Sequence, residues 1–294
     1  MKIGITANPY KPAALDGARR VASVIKDRAE IVWSEETYLK LGATGSMSPL
    51  EDMDVDALIA LGGDGTFLTT LQHTELPLLP VNAGTVGFLA EIDAGQLTAL
   101  DEAIERLLQG RYILDRRMKI GTQFRGQNLS DATNEVVVHT NQIAKMRNFE
   151  IAIDGNIIGR VRGDGVILAT PTGSTSYSLS ALGPIIDPTI DGILLTMLAP
   201  YQTTQRAVLL DPLRSVSVRL MDPDKGGAVV IDGQSEAEIP GGERILVYRS
   251  PRRASFIRFA FSFFQQLRGK KILPWSEETG ETKGAVHADL PPPA

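Results

Sequence analysis

The sequence contains no cysteine, which excludes disulfide bonds, thiolate metal sites and cysteine nucleophiles. It has no uninterrupted run of 18 apolar residues, so no membrane span is expected. The first ten residues, MKIGITANPY, lack the apolar run and the cleavage site of a secretory signal, and they are better interpreted as a first strand. Together these absences predict a soluble, cytoplasmic protein.

Neither positive nor negative charge dominates the sequence. The formal net charge is -5 and there is no long basic run, which argues against a protein that binds the nucleic-acid backbone. Hydrophobic residues make up 43% and charged residues 22%, as in ordinary globular proteins. At 294 residues the chain is long for one compact core, so two domains are expected, with room for a cleft between them.

Several motifs of nucleotide and hydrolytic enzymes are missing. No GxxxxGK[ST] occurs, no GxGxxG follows a predicted strand, and GxSxG is absent. A conventional P-loop enzyme, a hydride-transfer dinucleotide domain and a serine hydrolase of the nucleophile-elbow type are therefore excluded. The three histidines lie far apart and show no metal-ligand spacing, so no protein-held metal site is predicted.

Hydrophobic patterns divide the chain into two parts. Residues 1–110 alternate apolar runs with helical stripes, which predicts a doubly wound α/β domain whose ligands bind beyond the carboxyl ends of the strands. The predicted strands are 2–7, 57–61 and 76–81, and the predicted helices are 14–28 and 97–108, the second ended by Gly110.

Residues 111–255 have short apolar runs separated by turn residues, which predicts a β-rich domain. The runs are 135–138, 149–153, 166–169, 216–220, 229–231 and 245–248. Residues 256–273 are rich in phenylalanine and are expected to pack on a core, returning to the first domain. Residues 274–294 are polar and end in prolines, which predicts a mobile tail.

The first candidate site is the sequence GGDGT, residues 62–66, at the end of the 57–61 strand. Glycines allow backbone amides to approach anionic oxygens closely, and a helix that begins near Thr66 would point its positive end at the same place. Asp64 would be repelled by phosphate unless it binds a metal ion or accepts a proton from an attacking hydroxyl. The alternative is a tight turn with an aspartate N-cap.

Two further segments follow predicted strands. Residues 82–89, NAGTVGFL, lie at the same predicted sheet edge, where their alternative role is a structural crossover. Residues 164–180, DGVILATPTGSTSYSLS, carry seven hydroxyl side chains between Thr170 and Ser178, more than one helix cap needs. With Tyr177 these hydroxyls are candidates for binding an adenine edge and ribose hydroxyls. Asn134 with Glu135, and the 232–234 turn, are weaker candidates.

Taken together and in this order, these segments resemble the NAD kinase family, whose GGDGT element is shared with diacylglycerol kinase-like and phosphofructokinase-like enzymes. The resemblance covers roughly residues 1–270. It is carried by GGDGT, by NAGTVGFL, by NE at 134–135, by 164–180, by GPIID at 183–187 and by DGQ at 232–234. Family members often have Arg-Leu where this chain has Thr85 and Val86, and Ala where it has Ser176.

The resemblance implies an N-terminal α/β domain, a C-terminal β-sandwich-like domain and a nucleotide cleft between them, in a homodimer or homotetramer. It also implies phosphorylation of the 2'-hydroxyl of the adenosine ribose of NAD, with ATP or polyphosphate as donor. It implies that Asp64 accepts the proton of that hydroxyl. The implied donor-phosphate ligands are the amides of Gly62, Gly63, Gly65 and Thr66. The implied NAD-binding residues are Asp64, Gly65, Asn134, Glu135, Asp164, Thr175, Ser176, Tyr177, Ser178 and Ser180, with Lys145, Arg162 and Gln234 as weaker members.

Phosphoryl transfer depends on positioning and on neutralising negative charge, so a divalent cation is expected. We expect Mg²⁺, held mainly through the donor phosphates rather than by a protein cage. Two other functions stay open at this stage: a lipid or sugar kinase on the same scaffold, and a non-catalytic dinucleotide sensor.

Overall fold

The computed structural model describes residues 1–84, 87–202, 204–260, 263–270 and 272, without the side chains of residues 235 and 236. The predicted tail, 274–294, and the two family departures at Thr85 and Val86 lie outside the described residues. The chain divides into two units, Met1–Phe261 and Ser262–Ala294. The first unit contains all the strands described below.

Within the described residues, the strands are β1 (Lys2–Ala7), β2 (Glu30–Ser34), β3 (Ser46–Ser48), β4 (Ala57–Gly62), β5 (Leu78–Asn82), β6 (Ile92–Asp93), β7 (Ile113–Phe124), β8 (Gln127–Asn128), β9 (Glu135–Thr140), β10 (Arg147–Ile153), β11 (Asn156–Gly163), β12 (Gly165–Ala169), β13 (Ile193–Leu198), β14 (Val208–Leu210), β15 (Val216–Leu220), β16 (Gly227–Ile231), β17 (Ser235–Ile239) and β18 (Arg244–Arg258). The helices are α1 (Pro12–Ile25), α2 (Glu35–Leu41), α3 (Asp64–His73), α4 (Leu97–Leu108), α5 (Tyr177–Ser180) and α6 (Phe263–Gly269), with 3-10 turns at Leu50–Asp52 and Thr172–Thr175.

The N-terminal part is the predicted doubly wound α/β fold. Its strands lie in the order β3-β2-β1-β4-β5 and all pair in parallel. Helices α1 and α4 cover one face of this sheet, and α3 covers the other. Because β1, β4 and β5 are covered on both faces, they are almost entirely buried, which explains the continuous apolar runs of β4 and β5.

The predicted bounds of helix α1 shift by a few residues. The helix begins at Pro12, because the fixed φ of proline suits a first helical position. It ends at Ile25 rather than at Arg28, and Asp27 adopts a positive φ of 64° just beyond it. Gly110 adopts φ 68° after α4, as expected of a glycine that ends a helix.

The C-terminal part is a β-sandwich, as predicted. One antiparallel sheet has the order β14-β13-β12-β9-β16-β17 and faces β7, β10, β15 and β18 of the larger sheet. Their inner side chains form one buried core, which includes Val136, Phe149, Leu168, Val218 and Val247. This core is separate from the clusters on the two faces of the α/β sheet.

Strand β18 connects the two parts. It pairs antiparallel with β15 and with β7, and near its end Phe256 pairs in parallel with Leu78 of β5. The larger sheet is therefore continuous from β11 to β3. The strand predicted at 245–248 continues to Arg258 across an irregularity between Arg249 and Arg253, and so crosses the predicted boundary at residue 255.

Helix α6 belongs to the second unit, where the rings of Phe263 and Phe264 meet edge to face at 5.5 Å. No helix among the described residues combines the length and the apolar character needed to cross a membrane.

Candidate active site

The two glycine segments meet at the carboxyl edge of the parallel sheet. Gly62 at the end of β4 lies opposite Asn82 at the end of β5. The Asn82 side chain is buried, and its Nδ2 donates to the Gly84 carbonyl at 2.8 Å and to Asp93 at 2.9 Å. Parallel pairing therefore brings GGDGT and NAGTVGFL to one place, as the sequence predicts.

Asp64 is the first residue of α3, and its carboxylate binds the second glycine segment. Oδ2 accepts from the Phe88 amide at 2.7 Å, and Oδ1 accepts from the Leu89 amide at 3.2 Å. A methyl group built on Gly87 would lie 1.9 Å from Oδ1, so a larger residue fits there only if the carboxylate or the 87–89 segment moves. The N-cap of α3 is Gly63 rather than Asp64, which removes the alternative of a capping aspartate.

The start of α3 offers amides to an anion. Asp64 and Gly65 lie in the first helical turn, where amides have no acceptor within their own helix. The Thr66 amide, in contrast, donates to the Gly63 carbonyl at 2.9 Å. The Thr66 hydroxyl packs on Gly62 and accepts from Asn8 at 3.2 Å. Thr66 is thus engaged within the protein, and the donor-phosphate roles of residues 62–66 stay predictions.

The turn after β16 brings the β-rich part against α3. Thr69 donates to Gln234 Oε1 at 3.1 Å, and a methyl group on Gly65 would lie 3.5 Å from Gln234 Nε2. Gln72 also donates to the Ile231 carbonyl at 3.3 Å. The predicted weaker site member Gln234 therefore lies directly beside the helix of Asp64.

Asp232, two residues before Gln234, fixes the start of β9. Its carboxylate is buried and accepts from the amides of Thr133 at 2.7 Å, Asn134 at 2.8 Å and Glu135 at 3.0 Å. Burial raises the pKa of Asp232 to about 6, although the three amides oppose that rise. Sequence reasoning noted the 232–234 turn but not this positioning role, since the bonds span almost one hundred residues.

Glu135 joins β9 to the hydroxyl-rich turn. Ser176 donates to Glu135 Oε1 at 3.0 Å. Burial, followed by the nearby Asp232 charge, raises the pKa of Glu135 to about 7. Glu135 Oε2 and Asn134 Oδ1 are buried, and neither has a protein partner among the described residues. Two buried acceptors without partners suit a ligand that donates hydroxyl hydrogens.

Many hydroxyls of the 170–178 turn point into the protein. Thr170 donates to the Thr133 carbonyl at 2.5 Å, Ser174 donates to the Pro171 carbonyl at 2.7 Å, and Ser178 pairs with Thr196 at 2.9 Å. All three are fully buried. The excess of hydroxyls thus partly serves the turn itself, and Ser178 is used by the fold.

The remaining predicted residues of this turn are less enclosed. Tyr177 is 42% exposed, Ser180 is exposed, and Thr175 and Ser176 are half-buried. The Thr175 hydroxyl donates to the Thr172 carbonyl at 3.3 Å and the Ser176 hydroxyl to Glu135, whereas the exposed side chains of Tyr177 and Ser180 are accessible to a ligand.

Three further predicted residues are not hydrogen-bonded to this group among the described residues. Lys145 is exposed between β9 and β10, and the Arg162 guanidinium lies 5.5 Å from the Tyr201 ring centroid. Asp164 is half-buried between β11 and β12. Across the described residues, no contact joins Lys145 or Arg162 to Asp64 or Glu135. Their roles in NAD binding stay predictions.

The site combines a carboxylate at a helix start, adjacent amides without an acceptor in their helix, and buried acceptors on the adjoining sheet. This combination suits a phosphotransferase that acts on a hydroxyl group. Two family models match the chain: the ATP-NAD kinase N-terminal domain over residues 3–112 and the ATP-NAD kinase C-terminal domain over residues 133–259. An NAD kinase of Thermoplasma volcanium is 36% identical over 255 residues, which is 87% of this chain and 92% of that protein. The chain belongs to the NAD kinase family.

Two solved structures share the fold. Yeast NADH kinase complexed with NADH has a TM-score of 0.82 and 23% identity, covering 97% of this chain and 90% of that one. An NAD kinase from Archaeoglobus fulgidus in complex with ATP has a TM-score of 0.75 and 24% identity, covering 92% and 98%. The prediction of an NAD kinase with an α/β and a β-sandwich part is confirmed, and the lipid-kinase, sugar-kinase and sensor alternatives are not supported.

Proposed function

We propose that this chain transfers the γ-phosphate of ATP to the 2'-hydroxyl of the adenosine ribose of NAD, with Asp64 as proton acceptor. One observation carries the proposal. A continuous set of contacts leads from the helix of Asp64 through Gln234 and the Asp232 turn to Asn134, Glu135 and Ser176. A phosphate site and a ribose site would therefore adjoin.

The chain's own residues have distinct parts in this reaction. The amides of Asp64 and Gly65 bind donor phosphate oxygens, and their fixed dipoles stabilise the charge that spreads over those oxygens. Asn134 Oδ1 and Glu135 Oε2 accept from hydroxyl groups of NAD. The amides of Phe88 and Leu89 orient the Asp64 carboxylate, which takes the proton as the hydroxyl attacks phosphorus.

A divalent cation fits this site without a protein cage. Among the described residues, no three His, Cys, Asp or Glu side chains are grouped to hold a metal ion. Magnesium in nucleotide sites is commonly bound mainly through substrate phosphates, with few ligands from the protein. When bound, Mg²⁺ would neutralise donor-phosphate charge.

The direct test is NADP formation by the purified protein with Mg²⁺, comparing ATP with polyphosphate as donor. We expect NADP with ATP, and no ATP consumption with diacylglycerol or fructose 6-phosphate. Detection of bound NAD with no NADP formed, across donors and metal ions, would instead identify a sensor. Use of polyphosphate, a homo-oligomeric state and a cytoplasmic location remain predictions from the sequence.

The raised pKa of Glu135 leads to a pH prediction. The unfolded chain ionises this group near its ordinary value of 4.5, whereas the folded protein ionises it near 7. The free energy of unfolding should therefore fall as pH rises between these values, by on the order of 3 kcal/mol, and then level off. Asp232, whose pKa is raised to about 6, contributes a further, smaller fall in the free energy of unfolding over a lower pH range.

Glu135→Gln should remove the Glu135 share of this pH dependence, because glutamine does not ionise. Urea unfolding should find the variant more stable than the wild type at pH values above 7, where the wild type contains the buried charge. Its KM for NAD should rise, since a carboxylate acceptor is lost. A variant that is less stable than the wild type throughout would contradict the assignment of a costly buried carboxylate.

A further inference from the structure

The turn after β1 is hydrogen-bonded to the segment that contains Asp64. The Asn8 amide donates to the Leu61 carbonyl at 2.9 Å, and Asn8 Nδ2 donates to Thr66 Oγ1 at 3.2 Å. The Lys11 amide then donates to the Asn8 carbonyl at 3.3 Å, and Lys11 is the N-cap residue of α1. Asn8 therefore links Lys11 to Leu61, just before GGDGT, and to Thr66 at its end.

The Lys11 ammonium lies over two glycines of the site. A methyl group built on Gly63 would lie 3.3 Å from Lys11 Nζ, and one built on Gly84 would lie 3.5 Å from it. Gly63 directly precedes Asp64, and Gly84 follows β5 at the same sheet edge. The ammonium therefore lies beside the N-terminus of α3, close to the amides of its first turn.

Lys11 makes no ion pair or hydrogen bond through its side chain in the part of the chain that the structure describes. Both Asp64 oxygens are instead bound by the amides of Phe88 and Leu89. A half-buried lysine normally extends its ammonium to water or to a carboxylate, because ordering the long side chain costs conformational entropy. An ammonium held beside helix amides with no anion of the protein is suited to bind an anionic ligand.

We propose that Lys11 is a catalytic residue that binds the donor phosphates of ATP opposite the amides of α3. This inference rests on the proposed function. In the reaction, the bond from the γ-phosphorus to the bridging oxygen breaks and ADP leaves. A new bond forms to the ribose 2'-oxygen, whose proton goes to Asp64. Lys11 transfers no proton, and its charge offsets the negative charge on the transferred oxygens.

The lysine of a P-loop is absent from this sequence, so the structure supplies its charge from a different element. The lysine of a P-loop lies at the start of the helix that binds phosphate. Here the corresponding charge comes from the neighbouring strand-to-helix turn, while glycines line the start of α3. The end of the Lys11 side chain lies close to both Gly63 and Gly84.

The test compares Lys11→Ala, Lys11→Arg and the control Lys40→Ala, which removes an exposed lysine on α2. We expect Lys11→Ala to lower kcat/KM for ATP by about 10²-fold, as the loss of one transition-state donor does elsewhere. Calorimetric NAD binding and the thermal unfolding midpoint should be unchanged. Lys11→Arg should recover part of the loss, because it restores the charge with a different shape. Lys40→Ala should match the wild type.

Two outcomes would overturn the role of Lys11. One is a Lys11→Ala protein with wild-type kcat/KM for ATP. The other is an equal loss of NAD and ATP binding with a lowered unfolding midpoint, which would mean a structural role. Both are distinguishable from failure of the proposed function, which would appear as no NADP formed by the wild type. Even then, weaker Mg-ATP binding by Lys11→Ala than by the wild type would support the phosphate contact on its own.

Discussion

Asp64→Asn should lower kcat for NADP formation by about 10² to 10⁴-fold, the usual contribution of a general base. NAD binding should remain largely intact, because the predicted ribose acceptors, Asn134 and Glu135, lie at the start of β9 and not on helix α3. Steady-state kinetics with saturating ATP, together with calorimetric NAD binding, would measure the two effects separately.

The environment of Asp64 adds a second expectation for this variant. Both carboxylate oxygens accept from backbone amides, whereas an asparagine offers one oxygen and one NH₂ group. The amide of either Phe88 or Leu89 would then face a donor and lose its acceptor. This loss should lower the free energy of unfolding by about 1–3 kcal/mol. Asp54→Asn, at an exposed surface carboxylate, is the matched control and should be neutral. If Asp64→Asn kept the full wild-type rate, Asp64 would be removed from the mechanism.

Gly87→Ala should also lose about 10²-fold or more in kcat, although Gly87 itself contributes no functional group. The added methyl group would lie 1.9 Å from Asp64 Oδ1, so either the carboxylate or the 87–89 segment must move. Misplacement of a reacting group by about 1 Å can cost that factor in rate. The measurement is the rate of NADP formation at saturating NAD and ATP.

Gly159→Ala is the matched control for Gly87→Ala, because nothing lies within 4 Å of a methyl group at that position. It should leave both the rate and the unfolding midpoint unchanged. A Gly87→Ala enzyme with wild-type kcat would show that the position of the carboxylate does not limit catalysis, even if Asp64 itself proved essential.

The sequence predicts the α/β part well for a physical reason. β4 and β5 are buried on both faces, so their apolar runs are unbroken and end abruptly at Gly62 and Asn82. Since parallel strands end at one edge, the meeting of Gly62 with the Asn82 segment follows from the pattern alone.

The features that the sequence did not predict depend on long-range contacts. Strand β18 contains Pro251 and three arginines between residues 249 and 253, which hide its continuation from any search for apolar runs. The three amides held by Asp232, and the position of Lys11 over Gly63, join segments distant in sequence. In the sequence, the hydroxyls of Thr170 and Ser178 likewise look like ligand-binding groups, but in the structure both are bound to buried protein partners.

The two crossings between the α/β part and the sandwich are β7 and β18, which are hydrogen-bonded to each other from Ile113 to Phe124. A paired ribbon resists bending far more than two separate linkers do, because rotation of one part against the other would strain or break its ladder. Substrate entry by a wide hinge motion is therefore disfavoured in this enzyme. Exchange of nucleotides should depend on local movement of loops and side chains, with the irregularity between Arg249 and Arg253 as the most compliant point of the ribbon.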